Sequence, residues 1–363
     1  MFITGAAGFL GQYVVARALR DGHEVAALIR PGTPRSRTPW IDHPALTQVT
    51  GDLRRAGDLV EAIGQCDVVV HLAAAKSGGF YDQLGGTVVA TESLLSAMCD
   101  ADVKPIVVTS SFAVYDYQQI RTRATLDEAT PTEADPLGRD DYCQTKLLQE
   151  RLIREAHAED AIHAVIVRPG VIYGPGNLWN ARLGMQAGRT WIRTGANARL
   201  PLVYVEHCAT ALLAAATHAV EADRGDDPLV LNLLDDDPPS QRRYMKLLQR
   251  RAAPKPRIVP INYTLLRMTS NTIDLVNRAL FRGQVKVPSL LRPAALLARL
   301  KPLRFANARI KQTLNWSPDF SLEQAIDRSQ TGEAAATLTL DGAGPQLRLT
   351  ATDDDPDTHR GAA

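Results

Sequence analysis

Three glycines set at every third residue, Gly5, Gly8 and Gly11, follow at once on the apolar run 1–4, and they limit this chain more tightly than any other feature. A strand that turns so sharply into a helix leaves the first helical amides facing outward. There they and the helix dipole can hold a pyrophosphate without a basic side chain. Thr4, Gly5, Ala7, Gly8, Phe9, Leu10 and Gly11 are therefore candidates to line a dinucleotide. A spaced glycine set alone is a weak signal, because an ordinary strand-to-helix turn uses glycine too. Its weight comes from the strand before it and the amphipathic helix after it.

That unit recurs along the first half. Apolar runs at 1–4, 24–29, 47–50, 67–72, 104–109 and 163–168 alternate with helical spacing at 11–21, 58–63, 87–100 and 142–157. Such alternation predicts βαβ units, a parallel sheet covered by helices, and a ligand at the carboxyl ends of the strands. The expected fold class is α/β, a Rossmann-type doubly wound parallel sheet with a smaller C-terminal substrate-binding lobe. Residues 1–168 form the expected dinucleotide-binding core. Residues 169–331 form the lobe, with a helix at 206–219, a strand at 228–233, a helix at 240–251 and a helical insertion at 262–304. The insertion carries eight Lys or Arg against one acid, Asp274. Its Leu265, Leu266, Ile273, Leu275, Val276, Leu280 and Phe281, with Leu290, Leu291, Leu296 and Leu297, suit an apolar lid and equally a core helix pair or a subunit surface. Residues 332–363 mix Gly, Ala and Thr with an Asp354-Asp355-Pro356-Asp357 cluster and read as a disordered tail.

Composition removes several function classes. With 45% hydrophobic residues over 363 positions the chain can bury a large core, and 41 Lys plus Arg against 40 Asp plus Glu leave a net charge of +1, so no global field draws nucleic acid. Cys66, Cys99, Cys143 and Cys208 are scattered without ligand spacing, which predicts reduced thiols and no metal site. No charged and apolar leader precedes the glycine turn, and no 18-residue apolar stretch occurs, so a cytoplasmic location is expected. The run 1–4 is short for a buried strand, which leaves room for an extension ahead of it.

The strand ends carry further candidates. An acid after the second strand would bond a ribose 2′-hydroxyl, but Leu28-Ile29 is followed by Arg30, which suits a 2′-phosphate, with Arg35 and Arg37 near by. Asp52, followed by Leu53, can accept a hydrogen bond from an adenine amino group or merely cap a helix. His71 precedes Leu72, Ala73 and Ala74, whose small size lets a cofactor backbone lie close; His71 itself is given no proton-transfer role. Tyr142 and Lys146 stand four apart on one predicted helix. A free phenol at about 10 is a poor base at neutral pH, and an ammonium one turn away can lower it. Ser111, after the strand ending at Thr109, can hold a substrate oxygen, with Ser110 as the alternative.

In the order and spacing of these features the chain resembles the extended short-chain dehydrogenase/reductase family, the NAD-dependent epimerase/dehydratases. Thr4-Gly5-Ala6-Ala7-Gly8-Phe9-Leu10-Gly11, Gly51-Asp52-Leu53, His71-Leu72-Ala73-Ala74 and Ser110-Ser111-Phe112-Ala113-Val114-Tyr115 are similar to its successive motifs, and Tyr142 and Lys146 match its catalytic pair. Arg168-Pro169-Gly170-Val171-Ile172-Tyr173-Gly174-Pro175-Gly176 resembles the segment lining nicotinamide and substrate. The likeness runs on through 203–207 to 314–318. It implies Tyr142 as acid/base, Lys146 as its support, Ser111 as oxyanion partner, and Thr109, Tyr142, Lys146, Pro169, Gly170 and Val171 beside the cofactor. Phe112 and Ala113 stand where the family's dehydratases have an acidic pair, which counts against elimination, and Thr87 replaces a usual Asn. The implied activity is NAD(P)-dependent hydride transfer between nicotinamide and a secondary alcohol or ketone, with NADP(H) preferred, NAD(H) also accommodated, and a sterol-like or β-keto lipid as substrate, as the insertion resembles the 3β-hydroxysteroid dehydrogenase branch. The alternatives are a nucleotide-sugar 4-epimerase that retains NAD and a cofactor-sensing binding protein. Expected partners are a small-molecule substrate, a second copy in a homodimer, and a peripheral membrane contact through 262–304, with no nucleic acid.

Overall fold

The structure, a computed structural model, describes residues 1–180, 182–195, 197–281 and 292–340. Its centre is strand β1 (Phe2–Thr4), every residue of which is buried. Side chains alternate across a strand, so Phe2 enters one core cluster and Ile3 the other. Around β1 stand β2 (Val25–Ile29), β3 (Leu46–Thr50), β4 (Val69–His71), β5 (Pro105–Thr109), β6 (His163–Pro169) and β7 (Leu229–Leu233), in the spatial order β3-β2-β1-β4-β5-β6-β7. All six pairings are parallel. The runs predicted as strands lie here, shifted by one or two residues. β3 is an edge strand, and its Thr47, Gln48 and Thr50 are exposed.

Helices cover both faces, as a parallel sheet requires. Helix α1 (Phe9–Arg20) packs with Val14, Val15 and Leu19 against β1 and against α4 (Val205–Glu221), an alanine-rich helix whose small side chains permit close approach. Helices α2 (Ala90–Asp100) and α3 (Asp141–Ala158) supply Leu94, Met98 and Ile153 to the opposite face. The chain reverses its winding between β1 and β4, which opens a crevice at the carboxyl ends there.

Three expectations need correction. The strand predicted at 228–233 was assigned to the smaller lobe, but as β7 it completes the main sheet beside β6, and α4 covers that sheet; both bury uninterrupted apolar surface that only the sheet can satisfy. The helix predicted at 87–100 begins earlier, at Phe80–Gln83, and passes through a π turn at Leu84–Val89 before α2. Residues 332–340 are ordered rather than tail: Glu333–Ala336 is helical, Ala334 is buried, and Arg20 donates to the Thr337 carbonyl. The remainder of that predicted tail, 341–363, lies outside the described residues.

The smaller lobe contains a three-stranded sheet of Gly184–Ala187, Thr190–Arg193 and Arg257–Pro260. It also holds α5 (Gln241–Arg251), α6 (Tyr263–Phe281) and α7 (Pro293–Leu300). In the insertion, Leu265, Leu275, Val276 and Leu280 of α6 are exposed and Leu296 of α7 is buried, whereas Leu290 and Leu291 lie outside the described residues. Among the described residues no helix is long and apolar enough to cross a membrane, and no group of three metal-ligating side chains is assembled.

Candidate active site

The turn from β1 into α1 is packed backbone against backbone. Gly5 has φ of +67°, and a Cβ there would sit 2.9 Å from the Ala73 nitrogen. A Cβ on Gly11 would lie 2.1 Å from the Gly5 carbonyl oxygen, so only glycine lets α1 close onto the turn. Gly8 is the N-cap and brings no capping side chain to the first amides, and Ala7, Phe9 and Leu10 are half-buried beside it. Thr4 ties this turn to β4. Its Oγ1 accepts from the Leu72 and Ala73 amides at 3.2 and 3.3 Å and meets His71 Nδ1 at 2.8 Å. With both acceptor positions used, the hydroxyl donates to Nδ1, and His71 therefore carries its proton on Nε2. That Nε2 lies 2.9 Å from the hydroxyl oxygen of Thr91, whose own proton goes to the Thr87 carbonyl. Burial pulls His71 down to about 3, so it stays neutral as a fixed strut.

The outer end of the crevice carries Arg30 and Asp52. Arg30 is exposed after β2, and Asp52 accepts from the amide and guanidinium of Arg54, which holds its carboxyl at about 2. The charge of Arg30 acts on Asp52, so the two share one rim. Arg35 is paired with Asp42. Leu53 is packed into the core, while Leu72, Ala73 and Ala74 are half-buried along the inner wall.

The inner end brings Ser111, Tyr142 and Lys146 together. Asp140 caps α3 through the Cys143 amide at 2.9 Å and so sets the phase that turns Tyr142 toward β5. The Tyr142 hydroxyl faces the Ser111 side chain, whose Oγ accepts from the Ala113 amide at 3.1 Å. Burial pushes the phenol up to about 12; Ser111 draws it down, and Asp140 and Cys143 push it further up. Lys146, one turn on, is aimed away from that ring. Its Nζ donates to the Thr109 carbonyl at 2.7 Å and to Gln149 Oε1 at 2.8 Å. Burial, then the charge of Lys76, bring Lys146 down to about 7 against the pull of Glu150. The expected depression of the phenol by this ammonium is thus not what the arrangement displays: the amine spends its hydrogen bonds on the β5 end and on Gln149, and Tyr142 remains protonated at neutral pH.

Several groups here were not read from the sequence. Gln149 donates to Thr91 at 2.8 Å and accepts from Lys146, linking α3 to α2; its place three residues after Lys146 was the available signal. Lys76, three residues past Ala73, is exposed, and partial desolvation among its neighbours lowers it. Ser110 is eliminated as oxyanion partner: its hydroxyl donates to Glu150, which also accepts from Arg168 at 2.9 and 2.6 Å. Past β6, Pro169 is buried, the Gly170 amide bonds the Leu233 carbonyl at 2.9 Å, and half-buried Val171 bonds the Pro201 carbonyl at 2.6 Å. Thr109 Oγ1 is buried and has no hydrogen-bond partner among the described residues. A glycine cradle at one end and an orphaned hydroxyl beside Lys146 at the other fit a bound dinucleotide.

The sequence model of the NAD dependent epimerase/dehydratase family matches residues 1–232. Among curated relatives, the chain is 26% identical over 332 residues to a 4-hydroxy-2-methyl-3-oxo-4-farnesyl-3,4-dihydroquinoline-1-oxide ketoreductase of Stigmatella aurantiaca, covering 90% of this chain and 94% of that one. It is 26% identical over 353 residues to a 3-beta-hydroxysteroid dehydrogenase of Mycolicibacterium neoaurum, covering 90% and 89%. The UDP-glucose-4-epimerase of Stenotrophomonas maltophila, solved with NAD and formylated UDP-arabinopyranose, superposes with a TM-score of 0.69 at 18% identity over 93% of this chain and 98% of that one, a likeness of fold. The chain is a member of the NAD dependent epimerase/dehydratase family and an enzyme of the extended short-chain dehydrogenase/reductase type.

Proposed function

We propose that the protein is an NADPH-preferring reductase of a secondary ketone on a lipid-like molecule. The observation that carries this reading is the placement of the Tyr142 phenol, held protonated, facing the Ser111 side chain at the carboxyl end of β5. When bound, the nicotinamide supplies hydride to the carbonyl carbon. Ser111 and Tyr142 hold the carbonyl oxygen, and Tyr142 gives it the phenolic proton as its π bond becomes a C–O single bond. Lys146, donating to the Thr109 carbonyl and to Gln149, keeps the floor of the crevice rigid. Arg30, in the place of an acid, supports a 2′-phosphate and exchangeable NADPH. The lipid-like substrate is supported by the full-length relatives that act on a farnesylated quinoline oxide and on a steroid. Pro169, Gly170 and Val171 are proposed as the wall beside the nicotinamide, and α2 with α3 as a homodimer surface, where Val89 and Leu148 are exposed.

A UDP-glucose 4-epimerase of Bacillus subtilis, 31% identical over 177 residues, favours a second reading in which hydride returns to the opposite face of a sugar. Incubating the purified protein with NADPH or NADH against steroid ketones, β-keto acyl compounds and nucleotide-linked keto sugars separates the two. Stoichiometric NADPH loss with a lipid ketone is expected. Tightly retained NAD with turnover of a nucleotide sugar and no net consumption would replace the reductase by the epimerase.

A further inference from the structure

Helix α6 carries apolar residues on both sides. Its protein-facing side has Ser270, which is fully buried, with Leu266, Ile273, Asp274 and Asn277 half-buried, whereas Leu265, Met268, Leu275, Val276 and Leu280 are 62, 63, 67, 42 and 73% exposed. At 100° per residue these five fall in one arc with Thr269, Thr272 and Ala279, and no charged residue interrupts it. A helix on a water-facing surface has the opposite pattern, so something other than water meets this face.

Charge identifies the occupant. Residues 238–318 contain seventeen Lys or Arg and one acid, Asp274, in a chain whose totals are 41 and 40. The excess is therefore gathered in the segment that contains α6 and is balanced elsewhere. Exposed Lys246, Arg250, Lys255, Arg257, Arg267 and Arg304 make no ion pair with a described residue. Lys255 and Arg257 lie on the approach to α6, and exposed Arg267 projects from α6 outside the apolar arc. A second copy docked face to face would bring two such basic segments together, and a nucleic acid would leave five apolar side chains in water. A bilayer with anionic headgroups satisfies both features, acyl chains taking the leucines and headgroup charge the basic segment that contains them.

We infer that α6 is a peripheral membrane anchor that lies in the interface of an anionic bilayer. Through it the smaller lobe faces the lipid. Helix α7 packs on α6, Lys301 Nζ at its end donates to the Tyr117 carbonyl at 2.8 Å, and Ala298 and Leu303 pack against Phe112, the neighbour of Ser111. Docking thus sets the catalytic cleft next to the membrane. That a membrane-resident ketone enters there rests on the reductase reading above; the docking itself does not.

The test is sedimentation of the full chain with phosphatidylcholine vesicles, with and without about one third phosphatidylglycerol, in the absence of cofactor and substrate. Binding to the anionic vesicles is expected, released by salt and weakened about tenfold or more by Leu275→Glu with Leu280→Glu. The double variant should keep its circular dichroism, its melting temperature and its NADPH oxidation with a water-soluble ketone. Wild-type protein that stays in solution with anionic vesicles overturns the proposal, as does salt-sensitive binding to nucleic acid without vesicle binding. So does a wild-type dimer in light scattering that the double variant converts to monomer while vesicle binding is unchanged. None of these outcomes bears on hydride transfer, which the ketone assay reads separately.

Discussion

At the residue scale the site is built from groups whose ordinary behaviour is altered by where they sit. Ser110 and Ser111 are adjacent and alike, yet Glu150 consumes the hydroxyl of the first and leaves the second facing Tyr142. Ser111→Ala is expected to cut kcat about 10- to 100-fold with little change in melting temperature. Ser110→Ala should do the reverse, lowering stability by about 1–3 kcal/mol, since it strips a partner from a buried carboxylate. Steady-state rates and thermal melts of the two variants distinguish them. Lys146 gives a pH signature. Folded, it titrates at about 7 against an ordinary 10.5, so between those values the unfolded chain holds the extra proton. Stability must then rise with pH through that window, and the contribution is least below 7. Urea unfolding at about pH 6 and about pH 9 should show that rise in the wild type and a flatter response in Lys146→Met. Arg30 sets cofactor choice. Arg30→Asp is expected to move the kcat/KM ratio from NADPH toward NADH by about tenfold or more, read from initial rates with each cofactor.

At the scale of elements, the glycine turn and α1 form one device. A methyl group at Gly11 meets two carbonyl oxygens, Gly5 at 2.1 Å and Ala6 at 2.7 Å, neither of which can move without displacing β1. Gly11→Ala should therefore lift α1, cost about 2–4 kcal/mol of stability and weaken cofactor binding, followed by urea unfolding and NADPH fluorescence titration. This turn was legible in the sequence because the constraint is local: a tight turn, a strand before it and a helix after it. Strands β1, β2, β4, β5 and β6 were legible for a related reason, since burial on both faces makes each an unbroken apolar run. β7 reads the same way, but its partner β6 lies some sixty residues earlier and nothing local says which sheet it joins. The pair Gly184–Ala187 and Thr190–Arg193 was not legible, because its exposed Met185, Gln186 and Ala187 carry no alternation of apolar and polar residues. Within the site, the Tyr142 and Lys146 spacing showed in the sequence, while the partners of Lys146 did not. Gln149 follows on the same helix, but the Thr109 carbonyl is brought to its amine by the packing of α3 on the sheet, and the burial that results decides its charge.

At the scale of the whole molecule, a wound sheet presents one crevice with two chemically distinct ends. The rim at Arg30 and Asp52 reads the far end of a dinucleotide, and the inner wall at Ser111, Tyr142 and Lys146 is placed for the reacting end. The smaller lobe, through α7 and the Phe112 cluster, closes onto the inner end. Everything proposed of the chemistry passes through one phenol. The most direct measurement is NADPH consumption by Tyr142→Phe with a ketone the wild type reduces, alongside fluorescence titration of NADPH binding to both proteins. The account predicts unchanged cofactor affinity and a rate lower by about a thousandfold; a variant that binds NADPH normally and still reduces the ketone at the wild-type rate would contradict it.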